Sequence, residues 1–145
     1  MTTADTRERA FRRLLMGEVG TKNDARAVAA AVCRLCERFV RHVTPLIGDG
    51  GVAAICARSL HLTQRQFPSI APGCSSGEGS ALFALWQAAL ERQQPRVARR
   101  AGVAVLTTIG DLLDSLIGES LTTHLLREVW PDNFAGDCSE ETPPT

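Results

Sequence analysis

The 145-residue chain has no tyrosine, a single lysine, and only five phenylalanines and two tryptophans. So few rings argue against a surface that stacks single-stranded bases. A long apolar run is also missing. No run, residues 101–106 among them, approaches the roughly 20 residues that span a bilayer. The charged N-terminus lacks an apolar leader core, so no secretory signal is expected. Five cysteines are an odd number without framework spacing, which suits a reducing cytoplasm rather than a disulfide scaffold. Net charge is absent too, with 16 basic and 16 acidic side chains.

What is present describes a globular chain. Apolar residues make up 44% and charged residues 22%, within the range of folded domains. One domain over residues 1–130 is expected, followed by an acidic, proline-containing flexible tail over 131–145. The balanced charge is unevenly spread. Residues 1–70 hold eleven basic and six acidic side chains, and the tail holds four acids and no base. All the basic residues but Lys22 are arginine, the side chain suited to planar or bidentate acidic partners. A GC-rich coding sequence would produce the same bias.

The apolar spacing is helical nearly throughout, and no strand pattern is seen. The expected fold is all-α: a single-domain bundle of five or six helices, with two pseudo-repeated helical hairpins. The first helix covers residues 5–16, with Phe11, Leu14 and Leu15 on one side and a break at Gly17. Asn23 or Asp24 caps a second helix that runs to about Ile47. Its apolar face carries Val28, Val32, Leu35, Phe39, Val43 and Leu46. Pro45 is expected to kink its last turn. A Gly-Asp corner at 48–51 leads to a third helix over 52–67, and 68–79 read as a loop. The fourth helix covers 80–93. Pro95 starts a fifth that ends near Ile117, and a corner at 118–120 leads to a sixth over 121–130.

"PLIGD" at 45–49 recurs as "SLIGE" at 115–119, an offset of 70 residues. The same offset aligns Ala31 with Ala101, Leu35 with Val105, Phe39 with Ile109, Val43 with Leu113 and Ile55 with Leu125. A helix, a Gly-acid corner and a second helix, used twice, would pack as a pseudo-symmetric bundle. The fifth helix is apolar on all sides over 101–106, so it is expected to be buried all round. Gly102 and Gly110 interrupt it. Each glycine costs about 1 kcal/mol against alanine, so each should have a packing reason. Close approach of a neighbouring helix, a small-molecule pocket beside Gly102 and Gly110, and a homodimer seam are the three readings.

Residues 52–67, VAAICARSLHLTQRQF, offer a possible DNA reader. An apolar helix holding Ala54, Ala57 and Leu60 is followed by Thr63 as a cap, Arg65 and the apolar anchor Phe67. The segment resembles the first helix-turn-helix of arabinose-regulator-type transcription factors, and the resemblance implies that Arg65 faces bases. It spans about 16 residues. Pro68 follows Phe67 at once, and 69–80 carry no basic residue for phosphates. The alternative is an unbroken helix forming the second arm of the first hairpin.

Arg34, Arg38 and Arg41 lie at i, i+4 and i+7 on the polar face of the second helix. Arg9, Arg12 and Arg13 cluster on the first, and Arg92, Arg96, Arg99 and Arg100 gather round Pro95. Such stripes are either solvated faces or sites for acidic partners. Cys33 and Cys36 form a C-x-x-C. Zinc would need ligands from elsewhere, such as Cys56 with His42 or His61. The offset instead aligns Cys33, Cys36 and Cys56 with Val103, Leu106 and Leu126, as small core hydrophobes. The three histidines, His42, His61 and His124, are scattered. Asp111 and Asp114 read as solvent-facing, and Glu119 as a helix-start acid. "SSGEGS" lacks the strand and lysine of a phosphate loop. No catalytic, metal or cofactor site meets a working criterion.

The expectation is a small non-catalytic interaction or regulatory protein of the cytoplasm, such as a signalling adaptor. It would bind an acidic protein partner through Arg34, Arg38, Arg41, Arg58 and Arg65. A DNA-binding regulator and a small-molecule sensor are the alternatives. Nucleic acid and membrane are not the expected partners, and self-association stays open.

Overall fold

A computed structural model describes residues 3–21, 24–68 and 86–131. The expected loop over 68–79 beyond its first residue, the start of the fourth helix at 80–85, Asn23 and the tail from residue 132 lie outside them. The described residues form five helices and no strand: α1 (Thr3–Val19), α2 (Ala25–Gln66), α3 (described over 86–91), α4 (Pro95–Ile117) and α5 (Glu119–Val129). None is long and apolar enough to cross a membrane.

The helix ends follow from local chemistry. Asp24 caps α2, its carboxylate accepting the Ala27 N–H at 2.7 Å and satisfying an otherwise orphaned donor. Pro95 occupies the first turn of α4, where its missing N–H costs nothing. α1 departs from expectation. It runs through Gly17, which nothing approaches within 4 Å, and ends where Gly20 (φ 72°) donates to the Met16 carbonyl. A glycine weakens an exposed helix turn but does not end it unless the backbone turns left-handed. Pro45 sits inside α2, yet the non-helical residue is Gly48 (φ 87°, ψ 160°). Gly118, between α4 and α5, adopts φ 96° and ψ 153°. Both backbones lie where side-chain-bearing L residues are rarely found. One glycine therefore turns each corner, with no further loop.

The segment 52–67 holds no internal break. Residues 49–66 are one helix after Gly48. Thr63 does not cap a new helix. It is buried, and its hydroxyl donates to the Ser59 carbonyl one turn back at 2.8 Å. The second arm of α2 thus continues to Phe67, whose N–H closes on the Thr63 carbonyl.

α4 packs most extensively on α2. Val32 lies against Gly102, and further along Phe39 and Val43 share a cleft with Ile109 and Leu113. The first arm of α2 and α4 therefore run side by side in the same direction. α1 runs oppositely: Leu15 approaches Gly102 while Arg7 meets Gly110 and Asp114. The core fills the space between, and in α4 Ala101, Val103, Val105 and Leu106 are buried while Ala104 is half-buried, so the run expected to be enclosed on all sides is enclosed on most. Trp130 closes α5 against two rings. Phe11 meets it edge-on and Phe39 stacks on it, both at 5.9 Å. Each such pair adds roughly 0.5–1.5 kcal/mol beyond its buried area.

Candidate interaction surface

The arginines of α2 are held outward because the opposite side of the helix is fully used. Val28, Val32, Leu35, Cys36 and Phe39 are all buried, so the intervening Arg34, Arg38 and Arg41 face solvent. Arg34 is tied back to α1, its Nε donating to Glu18 at 2.8 Å. Arg38 and Arg41, and Arg58 and Arg65 on the second arm, are exposed and make no ion pair among the described residues. Near the end of that arm, Arg100 lies over the Phe67 ring at 5.9 Å, a cation–π contact joining α4 to the C-cap of α2.

The two glycines of α4 face side chains. A Cβ on Gly102 would collide with Val32 Cγ2, and one on Gly110 would meet the Arg7 side chain at 3.7 Å. The apolar cleft between the two arms of α2 and α4 lies elsewhere, lined by Phe39, Val43, Val52 and Leu113 among others, with a volume of about 10 Å³. That is room for about one water molecule, not a metabolite.

The cysteines fall inside. Cys33, Cys36 and Cys56 are buried thiols outside any disulfide. Burial pushes Cys33 up to about 12, with Glu37 and Glu91 adding to the shift, and Cys56 up to about 11. Cys36, fully enclosed, is raised well above its ordinary value by burial and then by its neighbours Cys33 and Cys56. A thiol held neutral is a poor nucleophile and a poor metal ligand. Among the described residues, no three His, Cys, Asp or Glu side chains are grouped to hold a metal ion.

Two constellations were not visible in the sequence. The first centres on Arg7, only 3% exposed. Its guanidinium donates to Asp114 at 2.5 Å, to Thr123 at 3.0 Å and to the Gly110 carbonyl at 3.4 Å. One side chain of α1 thus binds both α4 and α5. Asp114 therefore does not simply face solvent. Neighbouring Asp111 is pushed up by burial and then by Asp114, with Arg7 opposing. Spacing held a clue, since Arg7 is four residues before Phe11 and shares its inward face. The second constellation corrects the reading of scattered histidines. His42 of α2 and His124 of α5 meet different oxygens of Glu128, at 2.9 and 3.1 Å. The carboxylate bridges the two rings, and the hydrogen bond with His42 does most to lower its pKa. The i, i+4 spacing of His124 and Glu128 was legible, but the approach of His42 was not.

Comparison with known protein families, curated proteins and solved structures finds no match for this chain.

Proposed function

We propose that this protein is a small, non-catalytic interaction or regulatory protein of the cytoplasm that binds acidic groups on a partner protein through α2. Arg38 and Arg41 on the first arm, with Arg58 and Arg65 on the second, are the anchors, and Arg34 joins them on release from Glu18. The observation that carries this reading is four exposed arginines, two on each arm of α2, with no ion pair among the described residues. Unpaired guanidiniums on a rigid element are preorganised for carboxylates.

The same reading takes the bundle as one helical hairpin used twice. Its support is the shared backbone geometry of Gly48 and Gly118, 70 residues apart, and the contact between Val32 and Gly102 at the same offset. Equivalent residues touch each other where an approximate two-fold axis passes between two copies.

The test is a pulldown of the tagged full chain from host lysate, with and without nuclease, alongside R38E/R41E. The expected result is a defined protein retained in both arms and lost on charge reversal. Nucleic acid alone, abolished by nuclease, would overturn the reading in favour of DNA binding.

A further inference from the structure

Because the first arm of α2 and α4 run in parallel, both glycine corners lie at the same end of the bundle. There the shared apolar seam outruns the core. Val43 and Leu113 are buried, but Leu46 and Leu116, one turn on along the same sides, are 49% and 59% exposed. Leu121, in the first turn of α5, is 39% exposed. Isolated exposed leucines are ordinary, but several gathered at one end mark a contact surface.

The charge around them is one-sided. Residues 42–57 and 101–126 contain Asp49, Asp111, Asp114 and Glu119 and not one arginine or lysine. Asp49, Asp111 and Glu119 are exposed. Asp114 is matched by the buried Arg7, and the start of α1 adds exposed Asp5 and Glu8 against exposed Arg9.

We propose that this corner end docks a basic amphipathic helix of a partner protein, a second surface separate from the arginine face of α2. The leucines would seat the apolar stripe of that helix, and the acidic rim would pair with lysines or arginines flanking it. A second copy joined through the same patch would set acidic rims face to face, and an anionic lipid surface would meet the same repulsion.

The experiment titrates the full chain, labelled with ¹⁵N, with a synthetic Leu/Lys amphipathic helical peptide and with a Leu/Glu peptide of the same pattern. The Leu/Lys peptide is expected to shift the amides around Gly48 and Gly118, to weaken with added salt, and to lose at least about tenfold in affinity against L46S/L116S (a ΔΔG of order 1.4 kcal/mol per decade). D49N/E119Q should weaken it without changing the helix content. R38E/R41E should leave it unchanged, which separates this surface from the arginine face. The proposal is overturned by equal binding of both peptides, by shifts confined to other faces, or by affinity indifferent to L46S/L116S. Concentration-dependent self-association that L46S/L116S abolishes would also overturn it, by making the occupant a second copy.

Discussion

Arg7 and Asp114 are 107 residues apart in the chain and 2.5 Å apart in the fold. The arginine is almost wholly enclosed, while the aspartate keeps a quarter of its surface in water. This asymmetry sets the cost of breaking the pair, because the more buried charge is the one left stranded.

Asp114→Ala is therefore expected to destabilise the bundle by about 3 kcal/mol, at the lower end for a broken buried pair because Asp114 is partly solvated. Arg7→Met should cost less, since it leaves no charge buried. In the double variant the losses should fall short of their sum. Urea denaturation of the four proteins gives the coupling, and strict additivity would mean that the pair contributes nothing as a pair.

Gly102→Ala is expected to destabilise by about 1–3 kcal/mol, despite alanine's better helix propensity, because overpacking outweighs it. The obstruction is Val32 Cγ2, part of a β-branched side chain with little rotamer freedom. Val32→Ala should cost stability alone but relieve Gly102→Ala when combined with it. Melting temperatures of the singles and the double check this. A neutral or stabilising Gly102→Ala would contradict so close an approach.

Two carboxylates should bend the pH–stability profile in opposite directions. Glu128 has a lowered folded pKa, the His42 hydrogen bond being the first cause. Its contribution is present above the ordinary value of 4.5 and is lost as pH falls through the folded value. Asp111 has a raised folded pKa, burial being the first cause. Its ionised form opposes folding at neutral pH, and that opposition fades as pH falls toward its ordinary 3.8. Glu128→Gln should thus make the acid-side loss of stability shallower, and Asp111→Asn should make it steeper while raising stability at pH 7. Chemical denaturation from pH 3 to pH 7 gives both slopes.

The buried thiols should be inert in the native protein. In a C74S/C138S background, which leaves Cys33, Cys36 and Cys56, a thiol-specific reagent at neutral pH is expected to react only as fast as the protein opens. Raised thiol pKa values leave almost no thiolate, and burial blocks access. All three should react once urea passes the unfolding midpoint. Fast native labelling of Cys33 or Cys56 would place that thiol at the surface.

Most inward positions and both glycine corners were legible in the sequence, although Leu46, read on the apolar face of the second helix, is half exposed. Val28, Val32, Leu35, Phe39 and Val43 could be placed in the core because helical periodicity is a local property of the backbone. Gly48 and Gly118 could be placed at corners because the required left-handed backbone is one that glycine adopts freely. Pro95 marked the start of α4 for an equally local reason. What those faces meet depends on the packing of distant helices. Nothing in the sequence singles out Arg7 as a clasp; it is one because Asp114 and Thr123 are packed opposite it. His42 gained Glu128 only when α5 folded back along α2. The segment at 52–67 was ambiguous for the same reason. A cap and a continuing helix turn both use Thr63, and burial against the core is what drew its hydroxyl back to Ser59. Backbone propensity acts over a few residues, whereas the partner of a side chain depends on how whole helices lie against one another.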